Sequence, residues 1–255
     1  MSTKEQSVTL LRKNKLAQVD AFQAIGMTDV TEETRASTFA DRIIQAAGIR
    51  DICVACKRLS DGTDWYFTKE EWSNLTNANK GLFVKRGLRV RAYGHTFVVA
   101  AQDCYSPEGS VSMKWGSKVA VSELANRVRG AAYNDFAGLQ NTGFILDQLS
   151  SDAVAASACK NYTAYAPEEA GGVADASDWH LPSLGILIIM YRIKPQMQDA
   201  LSFFWNEDCK LGVAEYWSST QYDRDNAWYF NIGSGVFQNA GKTTSYRVRA
   251  VCDVI

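Results

Sequence analysis

The sequence predicts an α+β chain in which strands and helices occupy separate stretches. Three observations lead there. Short β-type runs fill residues 51–104, among them the apolar run Thr96-Phe97-Val98-Val99-Ala100-Ala101. Residues 119–205 read mainly as helices, with apolar residues at helical spacing. From Tyr216 onward, short aromatic strands return between polar turns. Strands and helices that segregate along the chain, instead of alternating, favour α+β over a parallel α/β sheet.

The first 50 residues are polar with helical character. Thr31-Glu32-Glu33-Thr34 leads into Phe39, Ile43, Ile44 and Ala47, which share one helix face, and Gly48 supplies a stop. A single stripe on a short helix needs a partner to bury it, so a second copy of the chain or a docking protein is expected. Thr68-Lys69-Glu70-Glu71 forms a capping box, with Trp72 and Leu75 turned inward. Further on, Phe144, Ile145, Leu146 and Leu149 define one helix and Ala153–Tyr162 a second. Leu181-Pro182-Ser183 introduces a third over Leu184–Ile193, which Pro195 should end. Trp228, Phe230 and Ile232 alternate, which places them on one face of a strand with Tyr229 and Asn231 on the other. Gly233-Ser234-Gly235 suits a hairpin turn, and Val248-Arg249-Ala250-Val251 a closing strand.

Composition narrows the function classes. The chain has 255 residues, 46% hydrophobic and 22% charged, which is ordinary for a folded soluble protein. Lys and Arg number 27 against 28 Asp and Glu, so there is no electrostatic footprint for nucleic acid or an anionic membrane. The longest strongly apolar run, Leu184–Tyr191, is far too short for membrane insertion. Met1–Lys15 carries no signal-peptide pattern, which predicts synthesis in the cytoplasm without Sec export.

Motifs for chemistry are sparse. No phosphate-binding glycine loop, HExxH or nucleophile elbow occurs. Cys53-x-x-Cys56 has redox or half-zinc spacing, but only His95 and His180 could complete a metal site, so reduced, structural thiols are expected. Cys159 and Cys252 are a candidate pair only in an oxidising compartment. His180 could act as a base if Asp175 or Asp178 oriented it; a structural strand histidine is the simpler reading. Asp223, Asp225 and Asn226 offer oxygen ligands that could hold Ca²⁺, against the simpler reading of a solvated loop tip. No catalytic residue, cofactor or metal is therefore assigned. What the chain has in excess is polar surface set with aromatics. From Gln221 to Arg247, 14 of 27 residues are Asn, Asp, Gln, Gly, Ser or Thr, interleaved with Tyr and Phe as in a paratope.

One ordered pattern carries a family resemblance. It runs Gly138-Leu139-Gln140-Asn141-Thr142, Ala158-Cys159-Lys160-Asn161-Tyr162, Asp178-Trp179-His180-Leu181-Pro182-Ser183, Met190-Tyr191, Tyr216-Trp217-Ser218-Ser219-Thr220-Gln221-Tyr222, Asn226-Ala227-Trp228, Gly235, Lys242 and Val248-Arg249-Ala250-Val251. Over residues 94–255 the chain resembles variable proteins of diversity-generating retroelements, in the branch related to DUF1566/Lcl C-terminal domains. The resemblance implies a C-type-lectin-like domain over 93–255, akin to formylglycine-generating enzymes. It leaves 1–92 as a smaller N-terminal oligomerisation or attachment region. It also implies ligand binding through a variable region at about 216–247. The family usually has an acidic residue three positions after the Ser of Leu-Pro-Ser; here that position is Ile186, and Ser183 alone is left to cap the helix.

In such systems error at template adenines rewrites Asn codons, and the products cannot be Trp, Gln, Lys, Glu or Met. Trp217, Gln221, Trp228, Gln238 and Lys242 are therefore not products of it. The resemblance implies that Tyr216, Asp223, Arg224, Asp225, Tyr229, Asn231, Ser234, Val236, Phe237, Asn239, Ala240, Gly241, Thr243, Thr244, Ser245, Tyr246 and Arg247 vary and bind ligand. Trp217, Trp228, Phe230 and Ile232 would form the fixed scaffold, with Tyr229, Phe237, Tyr246 and Arg247 as binding anchors. Thr31–Ile44 resembles attachment regions of phage tail proteins. The expected protein is thus a retroelement-diversified receptor-binding protein or adhesin on a phage tail, made in the bacterial cytoplasm and carried on the virion. It would bind a host cell-surface protein or glycan and form a homo-oligomer, a trimer by analogy. The rival readings are a formylglycine-generating-type enzyme, for which Cys209 and Cys252 are the nearest thiols, and a structural virion protein.

Overall fold

The computed structural model describes residues 51–254, except 167, 168, 170, 176 and 177. The predicted helix at Thr31–Gly48 lies outside the described residues. Strand β1 (Asp51–Arg58) pairs with β2 (Asp64–Phe67) and β3 (Phe83–Ala92), and β3 pairs with β4 (His95–Ala100). Strand β10 (Val251–Asp253) adds to β4, giving the antiparallel order β10-β4-β3-β1-β2. Between β3 and β4 the chain turns in two residues, Tyr93 (φ 52°) and Gly94 (φ 81°). Positive φ at both is the type I′ hairpin that matches strand twist. The boundary expected at 92/93 falls inside this hairpin, so residues 51–92 share one sheet with the residues that follow.

A second sheet has the order β5-β9-β6-β7-β8. It is built from β5 (Ser112–Lys114), β6 (Glu215–Gln221), β7 (Asn226–Asn231), β8 (Phe237–Gly241) and β9 (Ser245–Arg247). The segment Val248–Ala250, expected as strand, instead links the two sheets. Its backbone is still bonded: Ala100 N–H donates to Ala250 O and Cys104 N–H to Val248 O.

Among the described residues two helices fall between β2 and β3, and five between β5 and β6. They are α1 (Lys69–Asn74), α2 (Asn77–Lys80), α3 (Arg129–Ala132), α4 (Gly138–Leu149), α5 (Val154–Lys160), α6 (Leu184–Arg192) and α7 (Lys194–Phe204). The capping box forms as predicted: Glu71 N–H donates to Thr68 Oγ1 at 3.2 Å and Thr68 N–H to Glu71 Oε2 at 2.8 Å. Pro195 does not stop the helical run. It sits in the first turn of α7, where its missing N–H costs nothing, and only Ile193 separates α6 from α7.

Ser183 has the extended backbone of an N-cap, but its side chain makes no cap bond. The first amides of α6 are served from elsewhere: Leu184 N–H donates to Thr220 Oγ1 and Gly185 N–H to Asp135 O. Ile186 is buried in the core, so an acid at that position would be stranded from water. The core has two apolar bodies. One joins α6 and α7 to Val90, Phe97, Tyr216, Trp228, Phe230 and Ile232; the other joins α4 and α5 to Trp115, Trp179, Trp217 and Val248.

Candidate ligand-binding site

Register decides which aromatic side chains can meet a ligand. Tyr216 pairs with Phe230 and Trp217 with Tyr229, while Phe230 pairs with Phe237 and Tyr229 with Gln238. Cross-strand partners point to the same side of a sheet. One face therefore carries Tyr216, Trp228, Phe230 and Phe237, and packs toward α6, with the Tyr191 and Phe230 rings 5.3 Å apart. The other face carries Trp217, Tyr229, Gln238 and, from β9, Tyr246.

On that second face Trp217 is fully buried and its indole N–H donates to Met113 O. Tyr246 lies 4.7 Å from Trp217 and 4.7 Å from Tyr229, ring to ring. Both tyrosines stay half exposed. Asn231 Nδ2 donates to Glu215 Oε1 at 2.8 Å beside them. Burial, then the neighbouring Tyr229 and Glu215, hold the Tyr246 phenol above its ordinary range. The result is rigid aromatic area on an indole floor, bordered by carboxylate and amide groups.

The four expected anchors do not form one cluster. Phe237 is on the opposite face, over Phe230 and Trp228, with the Arg129 guanidinium 4.5 Å from its ring centre. Arg247 turns inward and donates to Asp103 Oδ2 at 3.0 Å. The same carboxylate takes the buried Arg249 Nε at 2.6 Å and the Tyr216 hydroxyl at 3.0 Å. Strand parity separates Phe237 from Tyr229, and Asp103, more than a hundred residues upstream, captures Arg247.

Of the remaining expected ligand residues, Tyr216 is the one that is fully buried; its hydroxyl also accepts from Gly212 N–H. Arg224, Asp225, Ser234, Val236, Asn239, Thr243, Thr244 and Ser245 are exposed, and Asp223, Asn231 and Ala240 half-buried. Asn239 and Ala240 lie on the edge strand β8 and Ser245 on β9, and the turn residues fall at two ends of the sheet. The Asp223–Asp225 turn meets the Lys242–Thr244 turn, where Lys242 N–H donates to Asp225 O. The Ser234–Val236 turn, with Gly235 at φ 76°, is at the opposite end. The scaffold residues Trp217, Trp228, Phe230 and Ile232 are all buried. So are Gln221 and Lys242, whereas Gln238 is exposed.

Sequence reasoning missed a cleft of about 980 Å³ beside Thr243 and Ser245, lined also by Tyr105, Glu108, Lys114 and Tyr162. Its one sequence signal was an exposed tyrosine in the Pro/Gly loop Cys104-Tyr105-Ser106-Pro107-Glu108-Gly109.

The candidate chemical groups take structural places. Cys53 and Cys56 sit three apart on one strand, hence on opposite faces, with Cys53 bonded to Asp51. All six cysteines are free and buried. The candidate pair Cys159 and Cys252 is not joined: Cys159 neighbours Cys104, and Cys252 lies by Arg86. Burial pushes the Cys252 thiol up to about 12. Cys209 and Cys252 belong to different halves of the core. His180 is buried, bridges to Val251 and turns Nδ1 to the backbone oxygen of Asp178; burial lowers its pKa. Asp175 instead accepts from Trp179 Nε1 and Ala164 N–H. Asp223 closes its own turn by accepting from the Asp225 and Asn226 amides. Among the described residues no group of three His, Cys, Asp or Glu could hold a metal ion.

The described residues, with two sheets and seven helices, thus present an aromatic and polar face, and the C-terminal part of the chain matches a known family. Residues 109–252 match the Lcl C-terminal domain model, more than half of the chain, and the protein belongs to that family. A crystal structure of a fimbrial protein from Bacteroides ovatus ATCC 8483 is similar at a TM-score of 0.43 and 17% identity. The match covers 63% of this chain and 36% of that one, so the chain spans about a third of that protein's length. No curated protein matches the chain. No helix among the described residues is long and apolar enough to cross a membrane.

Proposed function

We propose that the protein is a surface-displayed ligand-binding protein whose C-terminal sheet is diversified by a retroelement. On this reading its domain is C-type-lectin-like and is carried on a phage tail, where it binds a host surface protein or glycan. The observation that carries the reading is the division of labour in the variable segment. Four of the five residues that adenine-directed error cannot write, Trp217, Gln221, Trp228 and Lys242, are buried, Gln238 being exposed, and all but one of the seventeen varying positions are not buried. Surface positions tolerate change within about ±0.5 kcal/mol, so such a segment can vary without losing its fold. The Tyr229–Tyr246 pair on Trp217 is the anchor, with Glu215, Asn231 and Gln238 adjusting polar contacts.

Deep sequencing of the gene across its natural population tests this. Substitutions should concentrate at codons for the exposed residues between Asp223 and Arg247, with Trp217, Gln221, Trp228 and Lys242 fixed. Uniformly low variation there would overturn the diversified-binder reading.

A further inference from the structure

Opposite the tyrosine face lies a groove of about 430 Å³ walled by Tyr93, His95, Tyr133, Phe136, Tyr191 and Phe237. Tyr93, Tyr133 and Phe136 are 46%, 45% and 40% exposed. The groove is preformed: His95 stacks on Phe136 at 3.9 Å, and Ile188 and Ile189 of α6 form its floor. Exposed aromatic area gathered in one concave place marks an interaction site. We infer that its occupant is the chain's own N-terminal segment, docking the stripe Phe39, Ile43, Ile44 and Ala47.

Three observations select this occupant. The first described residue, Asp51, pairs with Arg91, two residues before Tyr93, so the preceding chain enters the domain beside the groove. The linking residues Gly48, Ile49 and Arg50 span up to ~10 Å, enough to bring a helix ending at Ala47 over that wall. Charge agrees as well. Arg192 lies 5.3 Å from the Tyr93 ring centre and Arg129 4.5 Å from that of Phe237, and neither forms an ion pair among the described residues. Residues 29–48 carry four acidic side chains (Asp29, Glu32, Glu33, Asp41) against Arg35 and Arg42. The docked segment would cover Phe237 and leave Tyr229 and Tyr246, on the other face, open to ligand.

Photo-crosslinking in the full chain tests the inference without any ligand. Phe39→p-benzoylphenylalanine is made in a mixture of ¹⁴N- and ¹⁵N-labelled chains, irradiated and mapped by mass spectrometry. Same-isotope crosslinks to residues 93–95, 133–136 or 188–192 are expected, at least tenfold above those from Gln45→p-benzoylphenylalanine on the opposite helix face. Adding Ile188→Glu should abolish them while amide exchange in β1, β3 and β4 stays unchanged. If Phe39 fails to yield a folded protein, Ile43 takes its place. Mixed-isotope crosslinks to the groove would make a second copy the occupant and overturn the inference. Crosslinks elsewhere, or none above the Gln45 level, would overturn it too.

Discussion

The Lys242 ammonium donates to Gln221 Oε1 at 2.8 Å, and both side chains are buried beneath the turns that carry the exposed loop residues. Gln221 is fully used. Its oxygen also accepts from Val121 N–H, and its amide donates to Val121 O, Leu124 O and Asn126 Oδ1. Lys242 donates a further bond to Val119 O and sits 4.6 Å from the centre of the Trp115 ring. The pair clamps the end of β6 and the end of β8 to the loop before α3. It fixes the frame on which Asp225 and Thr243 are displayed.

Burial lowers the Lys242 pKa to about 8, against the opposing pull of Asp223 and Asp225. Its unfolded value is roughly 10.4. Below pH 8 the lysine is charged in both states, and the folded state bears the whole desolvation cost. As pH rises from 8 to about 10.5 the folded lysine deprotonates first, the unfolded chain binds more protons, and stability from this group increases. The slope is at most about 1.4 kcal/mol per pH unit. Thiols and phenols titrate in the same window, so the quantity to measure is the urea stability of the wild type minus that of Lys242→Met. A difference that is flat or falling over this window would refute the assignment.

Asp103 is the hub of a buried ionic cluster, joining Arg249, Arg247 and the Tyr216 hydroxyl. Asp103→Ala leaves the Arg249 guanidinium buried with backbone oxygens only, those of Ala100, Ala101, Cys209 and Lys210. Removing one partner of a buried pair costs about 3–5 kcal/mol. Tyr216→Phe removes only a neutral hydroxyl, at a cost of about 1–3 kcal/mol for the groups left unpaired. Denaturant midpoints that rank the two substitutions the other way would show that Asp103 is not the hub.

Much of this fold follows from local patterns, and the misses have physical causes. The capping box at Thr68, the strand expected at Thr96–Ala101 and found at His95–Ala100, and the alternation of Trp228 and Phe230 in β7, with Ile232 buried just past its end, depend on near neighbours, and all three form. Pro195 misleads because a proline that bars helix continuation also begins helices well. The placement of Phe237 depends on register between β7 and β8, which a period of two leaves undetermined. Arg247 depends on Asp103, a contact across 144 positions that spacing in the chain cannot reveal. Tyr216 is a varying position only by the resemblance; its cross-strand partner Phe230 places it in the core. The cleft by Tyr105 needs three separated segments to exist at all.

The scaffold and the displayed residues should separate by stability. Trp217→Ala removes a fully buried ring and its bond to Met113 O, and should cost about 3–5 kcal/mol. Substitution of Arg224, Ser234, Asn239 or Thr244, one at a time, by Ala should stay within about 0.5 kcal/mol. Urea titrations of these variants decide it. Loss of more than about 1 kcal/mol at two or more of the four would mean that the turns are structurally constrained and not free to vary.

Two helical glycines should respond to alanine with opposite signs. A Cβ on Gly185 in α6 would stand 2.5 Å from the Phe136 ring and 2.6 Å from Asp135 O, the acceptor of its own amide. Both neighbours are fixed, Phe136 by its stack on His95 and Asp135 by bonds from Ala137 N–H, Asn141 and Thr220. The helix must shift, and overpacking of this kind costs about 1–3 kcal/mol, more than the gain of about 1 kcal/mol in helix propensity. A Cβ on Gly143 in α4 would meet nothing within 4 Å. There alanine should stabilise by about 0.5–1 kcal/mol through propensity alone. Paired thermal melts of the two variants test the packing of α6 on the loop before α4. A Gly185→Ala protein as stable as the wild type would mean that α6 does not approach Asp135 and Phe136 so closely.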